Sequence, residues 1–350
     1  MTSQTTNIAW TVPATASAVT DLIKQSKPVP TPGPKQVLVQ LTAAALNYRD
    51  LLISIRSPQY PGNHKADLVP GADGAGIICS VGEESKWGGS EGLAVLLHPN
   101  NWISGDVQAL SFETILGGTS KDGTLQHYLA VDDECIVEAP KSLSATESAS
   151  LVTAGATAWA AIRESLDMTL KGRTVLTMGT GGVSCFGIQI AAALGATVIA
   201  TSSSDSKLDF AMSLGATHVV NYSKTPDWDQ EVLRITAGRG VDHVIETGGA
   251  GTLMKSINST RTGGLISLLG ALTPDAPIDT AFVPSVLFGG KFVKGCVAFS
   301  RDLVAELASF VEANSIKPVI AHEFGFEHLV EAFEALQKQQ AVGKIAVKIT

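Results

Sequence analysis

Cysteine is scarce in this chain. Four occur among 350 residues, Cys79, Cys135, Cys185 and Cys296, and no two form a CxxC pair. Metal knuckles and redox dithiols need close spacing, so neither is expected, nor is a disulfide framework. Charge is also sparse, at 17% of residues, and aromatics make up 6%. The 25 basic and 33 acidic side chains leave a net charge of −8, with no basic cluster. That balance carries no electrostatic footprint for duplex DNA or an anionic membrane, so neither is an expected partner. No apolar run approaches the roughly 18 residues of a membrane-spanning helix. The N-terminal stretch around Pro13, Asp21, Lys24 and Lys27 lacks the apolar core of a secretory signal. The expectation is a soluble, cytoplasmic protein that acts on small molecules.

What the chain has is apolar residues, 45%, and 34 glycines. That is ample for a buried core in each of two domains and rules out disorder. Up to residue 150 the texture is β-rich: QVLVQLTAAAL, GIICSVG and GLAVLL are separated by Pro, Gly and Asn clusters. Near Thr146 it changes. The run SATESASLVTAGATAWAAIRESL has helical spacing, with Ser144 and Thr146 as candidate caps and Glu147 just inside. From Thr174, six apolar runs of strand length (TVLTMG, ATVIATS, THVVNY, VDHVIETG, GLISLLG, KFVKGCVAF) alternate with helices such as SCFGIQIAAALG and SKLDFAMSLG. Such alternation predicts an α/β, doubly wound parallel sheet. After Phe299 come a helix (DLVAELASFVEANS), a strand (IKPVIAHEF), a second helix (FEHLVEAFEALQKQ) and a last strand (GKIAVKIT).

The sharpest local signal is VLTMGTGGVSCFG, a strand, a turn through Gly179, Gly181, Gly182 and Val183, and then a helix. Glycines there permit a tight turn and let the backbone approach a pyrophosphate at the helix N-terminus. Ser184 stands where a third glycine is usual, but strand, turn, helix and second strand follow in the required order. An NAD site usually ends its second strand in Asp or Glu. Here VIATSSSDSK ends in Ser202, Ser203 and Ser204. Asp205 comes later, where it suits a helix cap. Hydroxyls followed by Lys207, with Tyr222 after the third strand, suit a 2′-phosphate, so NADP(H) is the expected cofactor.

Nearly the whole chain resembles the medium-chain dehydrogenase/reductase superfamily, in its zinc-independent alcohol dehydrogenase and quinone oxidoreductase branches. The likeness rests on AALNYRDLL, VPGADGAGIICSVG, GTLQHYLAV, TAGATAW, the glycine turn, TSSSDSKL and the terminal VGKIAVKI, in that order. It implies a GroES-like catalytic domain from residues 1–150, completed by 300–350, and a Rossmann domain from 151–299 across a cleft. It also implies that Thr157 packs on the nicotinamide ring. A homodimer is implied through the edge strand near KFVKGCVAF.

Zinc members of this family carry a Cys before a DLH-like segment, a Gly-His-Glu, and often a further Cys ahead of AG.T. At those positions this chain has Asn47, then Gly71-Ala72-Asp73, then Thr153, and the relay His of DLH is Leu52. Zinc needs thiolate, imidazole or carboxylate ligands in a tetrahedral set. No metal site is therefore expected. The remaining histidines read as fillers (His218, His243), surface residues (His322, His328) or isolated side chains (His98, His127), with His64 on a loop near the cleft mouth. Without a Lewis acid, a developing oxyanion must be held by donors or delocalised by the substrate. That favours hydride transfer to an enone or quinone. The resemblance points to Asn47 and Tyr60 as the catalytic pair that stabilises the oxygen. Reduction of C=O by a metal-free alcohol dehydrogenase, a tailoring reductase and a non-catalytic NADPH-binding protein are the competing expectations.

Overall fold

The computed structural model describes residues 6–163, 170–270, 272–273 and 277–350. Two compact units emerge, Met1–Ala156 with Ser300–Thr350, and Thr157–Phe299.

The first unit opens with a hairpin, β1 (Thr6–Thr11) on β2 (Ile23–Pro28). β3 (Gln36–Leu46) then leads into α1 (Tyr48–Ser54), β4 (Asp73–Val81), β5 (Ala94–Leu97), β6 (Tyr128–Asp132) and β7 (Ile136–Glu138). β3 is nearly continuous in apolar residues because it is the hub of the sheet. It pairs antiparallel with β4 and β6 and, through its second half, with a strand from the end of the chain. Its Val37, Val39, Leu41, Ala44 and Leu46 belong to one core cluster.

The stretch read as a single helix is three pieces. α2 (Ala145–Ser150) starts in a capping box, with Ser144 Oγ accepting from Glu147 N and Glu147 Oε2 accepting from Ser144 N. Ser144 is the cap, and Thr146 lies inside the helix. A π-helical turn, Leu151–Gly155, separates α2 from α3 (Ala156–Arg163), and residues 164–166 of the reading lie outside the described residues. The turn has a cause. Thr153 N donates to the Asp73 carboxylate at 3.1 Å within this turn, the kind of side-chain insertion that opens a helical rung.

The second unit is a six-stranded parallel sheet in the order β10-β9-β8-β11-β12-β13. Its elements are β8 (Thr174–Met178), α4 (Gly182–Ala193), β9 (Thr197–Ser202), α5 (Asp205–Ser213), β10 (His218–Asn221), α6 (Trp228–Ile235), β11 (Val241–Glu246), α7 (Ala250–Ser259), β12 (Thr260–Leu268), α8 (Phe282–Gly289) and β13 (Phe292–Gly295). Each of the six apolar runs became a strand of this sheet. The order, with β8 between β9 and β11, is that of a doubly wound dinucleotide fold. Burial on both faces of the sheet covers β9 and β11 along nearly their whole length, Asp242, His243 and Glu246 of β11 included.

The chain then returns to the first unit through α9 (Arg301–Asn314), β14 (Ile320–Gly325), α10 (Leu329–Gln337) and β15 (Lys344–Lys348). β15 pairs antiparallel with the end of β3, Ile345 opposite Leu46. Its start is pinned by Gly343, at φ +88, where a Cβ would lie 2.3 Å from the Val319 carbonyl oxygen. No helix among the described residues is long and apolar enough to cross a membrane.

Candidate active site

In the first unit, four elements bring polar side chains to the end of β3. Asn47 follows the strand in extended backbone (φ −120°, ψ 158°) and is the N-cap of α1. Its backbone N–H donates to Asp50 Oδ2 at 2.9 Å, so the Asp50 carboxylate closes the helix start. Its side-chain Nδ2 donates to Asp73 Oδ2 at 3.0 Å and to Asp50 Oδ2 at 3.3 Å. Asp73, the first residue of β4, also accepts from Thr153 N and Thr153 Oγ1. Lys344, the first residue of β15, donates from Nζ to Leu46 O at 2.8 Å and Asn47 Oδ1 at 2.6 Å, and pairs with Asp73 Oδ2 at 3.3 Å. The amide orientation of Asn47 follows from these partners: two carboxylates demand its N–H groups and an ammonium demands its oxygen.

Asn47, Asp73 of the Gly71-Ala72-Asp73 stretch and Thr153 therefore converge on one cluster with the Lys344 ammonium, while the buried Ala72, which stands where the zinc form has His, offers no donor. Asp73 is the single strong ligand among them, and its oxygens are engaged by Lys344, Asn47 and Thr153. A tetrahedral zinc needs three or four thiolate, imidazole or carboxylate donors. The donor set here does not fit one. Among the described residues no group of three or more His, Cys, Asp or Glu side chains lies close enough to hold a metal ion.

This geometry also changes the reading of Asn47 as a ready oxygen donor. Both Nδ2 hydrogens are already committed to carboxylates. The longer one, to Asp50, is the one a substrate oxygen can share with the amide left in place, because Asp50 keeps its bonds to Asn47 N and to Arg49 Nη1 at 3.2 Å. Asp50 is fully buried. Desolvation pushes its carboxyl above the usual carboxylate range and the Asp73 charge adds to that, against the lowering by Arg49, its Asn47 hydrogen bond and Lys344.

Tyr60 lies beyond α1 with the Arg49 guanidinium 5.0 Å from its ring centroid and the His64 ring at 5.9 Å. Arg49 is in turn tied to Asp50 and to Leu116 O, so the chain Asp50–Arg49–Tyr60 links the buried cluster to a half-buried phenol. The Tyr60 hydroxyl makes no hydrogen bond to a described residue. His64 Nδ1 sits 2.6 Å from Gly118 O, which fixes the loop carrying it.

Thr157 and the other expected cofactor residues lie in the second unit. Gly179 has φ +75 and nothing within 4 Å of a notional Cβ, and Gly181, the N-cap of α4, has the same open space. Gly182 and Val183 are the first two helical residues, so their N–H groups point out of the helix N-terminus unpaired. A phosphate fits that cradle without displacing any side chain. Ser184 does not disrupt it, since its Oγ donates to Met178 O at 2.7 Å. The close helix–sheet approach usually given to the third glycine belongs here to Gly187, whose notional Cβ would be 2.9 Å from Ile245 Cδ1. The sequence reading had passed over Gly187, although three-residue spacing from Ser184 was its signal.

At the end of β9, Ser202 is buried while Ser203 is exposed and Lys207 half-buried. Tyr222 is 40% exposed and its N–H donates to Ser202 O at 3.0 Å. Asp205 is not the cap of α5: Ser204 holds that position, and Asp205, one residue on, binds Asn221 Nδ2 and Lys224 Nζ. Thr157 is half-buried on α3.

The histidines divide by burial. His243 bonds Ser267 Oγ at 2.8 Å, and burial pushes its imidazole down to about 4. His98 is likewise driven to about 4 by burial, against its bonds to Trp102 O and Asn100. His218 is exposed rather than partly buried, because β10 is the outer strand of its sheet.

Comparison with known proteins adds the following. Residues 33–141 match the alcohol dehydrogenase GroES-like domain, and residues 182–313 match the zinc-binding dehydrogenase family. A zinc-type alcohol dehydrogenase-like protein of Schizosaccharomyces pombe is 41% identical over 320 residues, 90% of this chain and 91% of that protein. A 2-methylene-furan-3-one reductase of Solanum lycopersicum is 30% identical over 337 residues, covering 93% of this chain and 76% of the other. A solved NAD-dependent alcohol dehydrogenase, 32% identical, superposes with a TM-score of 0.86 over 98% of this chain and 100% of its own.

Proposed function

The chain belongs to the medium-chain dehydrogenase/reductase superfamily of oxidoreductases, and on that premise we propose that it is a zinc-independent, NADPH-dependent reductase of conjugated carbonyls, either enones or quinones. We further propose that it works in the cytoplasm as a homodimer. The observation that carries the reading is the closed Asn47–Asp73–Thr153–Lys344 cluster, which holds the positions matched to the zinc ligands, Asn47 and Thr153 with Ala72 beside Asp73, and offers no ligand set for a metal.

When bound, NADPH would supply the hydride for reduction of the acceptor at its β-carbon. The Gly179–Val183 turn and the first turn of α4 would hold its pyrophosphate with backbone N–H groups. Ser202, Ser203, Lys207 and Tyr222 would receive the 2′-phosphate, and Thr157 would pack against the nicotinamide. With no Lewis acid, an enone or quinone is the acceptor of choice, because its oxygen and carbon framework share the arriving charge. With its amide held by Asp73 and Lys344, Asn47 shares its Asp50-directed N–H with the substrate oxygen, and Tyr60 donates a proton to that oxygen as the enolate forms and regains it from solvent. The resemblance to a furanone reductase supports this direction.

Likeness to alcohol dehydrogenases favours a second reading, direct reduction of C=O. NADPH deuterated at the transferable position, with an acyclic α,β-unsaturated ketone, separates the two. Deuterium on the β-carbon of the product is the expected result. Label on the carbonyl carbon overturns conjugate reduction in favour of the alcohol dehydrogenase reading.

A further inference from the structure

Lys344 is an ammonium only 5% exposed. A buried amine is tolerated where its donors and its charge are met, and here Leu46 O, Asn47 Oδ1 and Asp73 Oδ2 meet them. The charged groups facing this cluster are Arg49 and Asp50 from α1, Asp73 from β4 and Lys344 itself from β15. β3 and the π turn contribute only the Leu46 carbonyl and Thr153. Two cations thus balance two carboxylates. Without Lys344 the cluster would carry a net negative charge, and the Asn47 oxygen would lose the partner that sets its amide.

Building on the reductase reading above, we propose that Lys344 is a positioning residue of the reaction. Its ammonium supplies the positive charge that zinc members of the family take from a metal at these positions, and it holds Asn47 and Asp73 in register with β3. Hydride transfer to a carbonyl compound builds negative charge on the acceptor as the barrier is climbed. A neutral cluster accepts that charge, whereas a net anionic one opposes it. The effect falls on kcat more than on KM, because the ground-state acceptor is uncharged.

The test uses the full-length enzyme with NADPH and an acyclic α,β-unsaturated ketone. Lys344→Ala is expected to lower kcat on the order of a hundredfold with little change in KM. n-Propylammonium chloride, which refills the space with an N–H donor cation, should restore kcat and the thermal midpoint saturably. Tetramethylammonium chloride and sodium chloride at the same ionic strength should not. A folded Lys344→Ala enzyme with undiminished kcat overturns the proposal, and so does rescue by sodium chloride to the same extent. Should Lys344→Ala fail to fold, Lys344→Met is compared with Lys344→Met/Asp73→Asn, in which charge is neutral again. The double variant is expected to have the higher thermal midpoint and the higher kcat, and equality of the two overturns the charge argument. Wild-type enzyme without turnover of either enone or plain ketone retires the reductase reading. An active wild type with unaffected variants retires the role of Lys344 alone.

Discussion

Tyr60 and Asn47 differ in how free they are. The Asn47 amide is committed to Asp73, Asp50 and Lys344, while the Tyr60 phenol is held through its ring, by Arg49 and His64, with its hydroxyl unbonded among the described residues. Proton delivery is therefore assigned to Tyr60, and Tyr60→Phe should lower kcat about a hundredfold with the fold intact. Steady-state kinetics beside a circular dichroism spectrum check this, and an unchanged kcat would remove Tyr60 from the mechanism. Lys207 is the one residue of the expected 2′-phosphate set with a full charge. Lys207→Ala should raise KM for NADPH about tenfold or more, the value of a charge-assisted bond, and leave KM for NADH unchanged. Equal effects on both cofactors would show that Lys207 does not read the 2′-phosphate. His243 supplies a pH prediction. Its folded pKa of about 4 lies below the ordinary 6.5, so the unfolded chain binds the proton first. Stability is complete above 6.5 and falls as pH drops toward 4, by about 1–3 kcal/mol from this group. His243→Asn should flatten that limb in denaturant titrations at pH 7 and pH 5, and an unaltered slope would contradict the assignment.

Elements matter here through their ends. β3, β4 and β15 each contribute a terminal residue or its neighbour to the cluster, namely Asn47, Asp73 and Lys344. The π turn contributes Thr153 at the cost of a regular helix. Strand registry therefore sets the site, and one slipped residue in β15 would turn Lys344 to the other face. Gly343 guards against that slip, since only glycine fits at φ +88 beside the Val319 carbonyl. Gly343→Ala is expected to destabilise the protein by roughly 2 kcal/mol or more. It should also depress kcat in step with Lys344 substitutions. A midpoint unchanged in thermal unfolding would refute the clash argument. In the second unit the end of α4 plays the corresponding part, with Gly179 and Gly181 leaving the helix N-terminus open and Gly187 drawing the helix onto β11.

For the assembled protein, the proposed dimer has a definite face. β13 is the edge of its sheet, paired with β12 on one side, and no described strand covers the other. Beside it α8 buries none of its residues, and Val283, Leu287, Phe288 and Phe292 are all more than half exposed, Phe288 to 85%. An edge strand next to a large apolar patch is a liability in a monomer. A second copy related by a two-fold axis covers both at once. Leu287→Asp/Phe288→Asp should convert the dimer to monomer in sedimentation velocity, and a wild type that sediments as a monomer would end the proposal.

The parallel sheet, its strand runs and the glycine turn were legible in the primary structure because each is written in contiguous residues. Alternating apolar runs, helix-length gaps and the Gly179–Val183 turn are local patterns that burial on both faces of a sheet demands. The residue types at Asn47, Ala72 and Thr153, none of them a thiolate, imidazole or carboxylate, could be read in the same way, at positions fixed by neighbouring motif. Lys344 could not. It lies 297 residues from Asn47 along the chain, and a Lys at the head of a terminal strand looks like any solvated charge until pairing with β3 places it inward. The π turn was equally hidden, since its cause is a carboxylate 80 residues earlier that takes the Thr153 amide. Local periodicity decides which segments become strands and helices; only long-range pairing decides which buried charges meet, and in this protein that meeting is what makes the site.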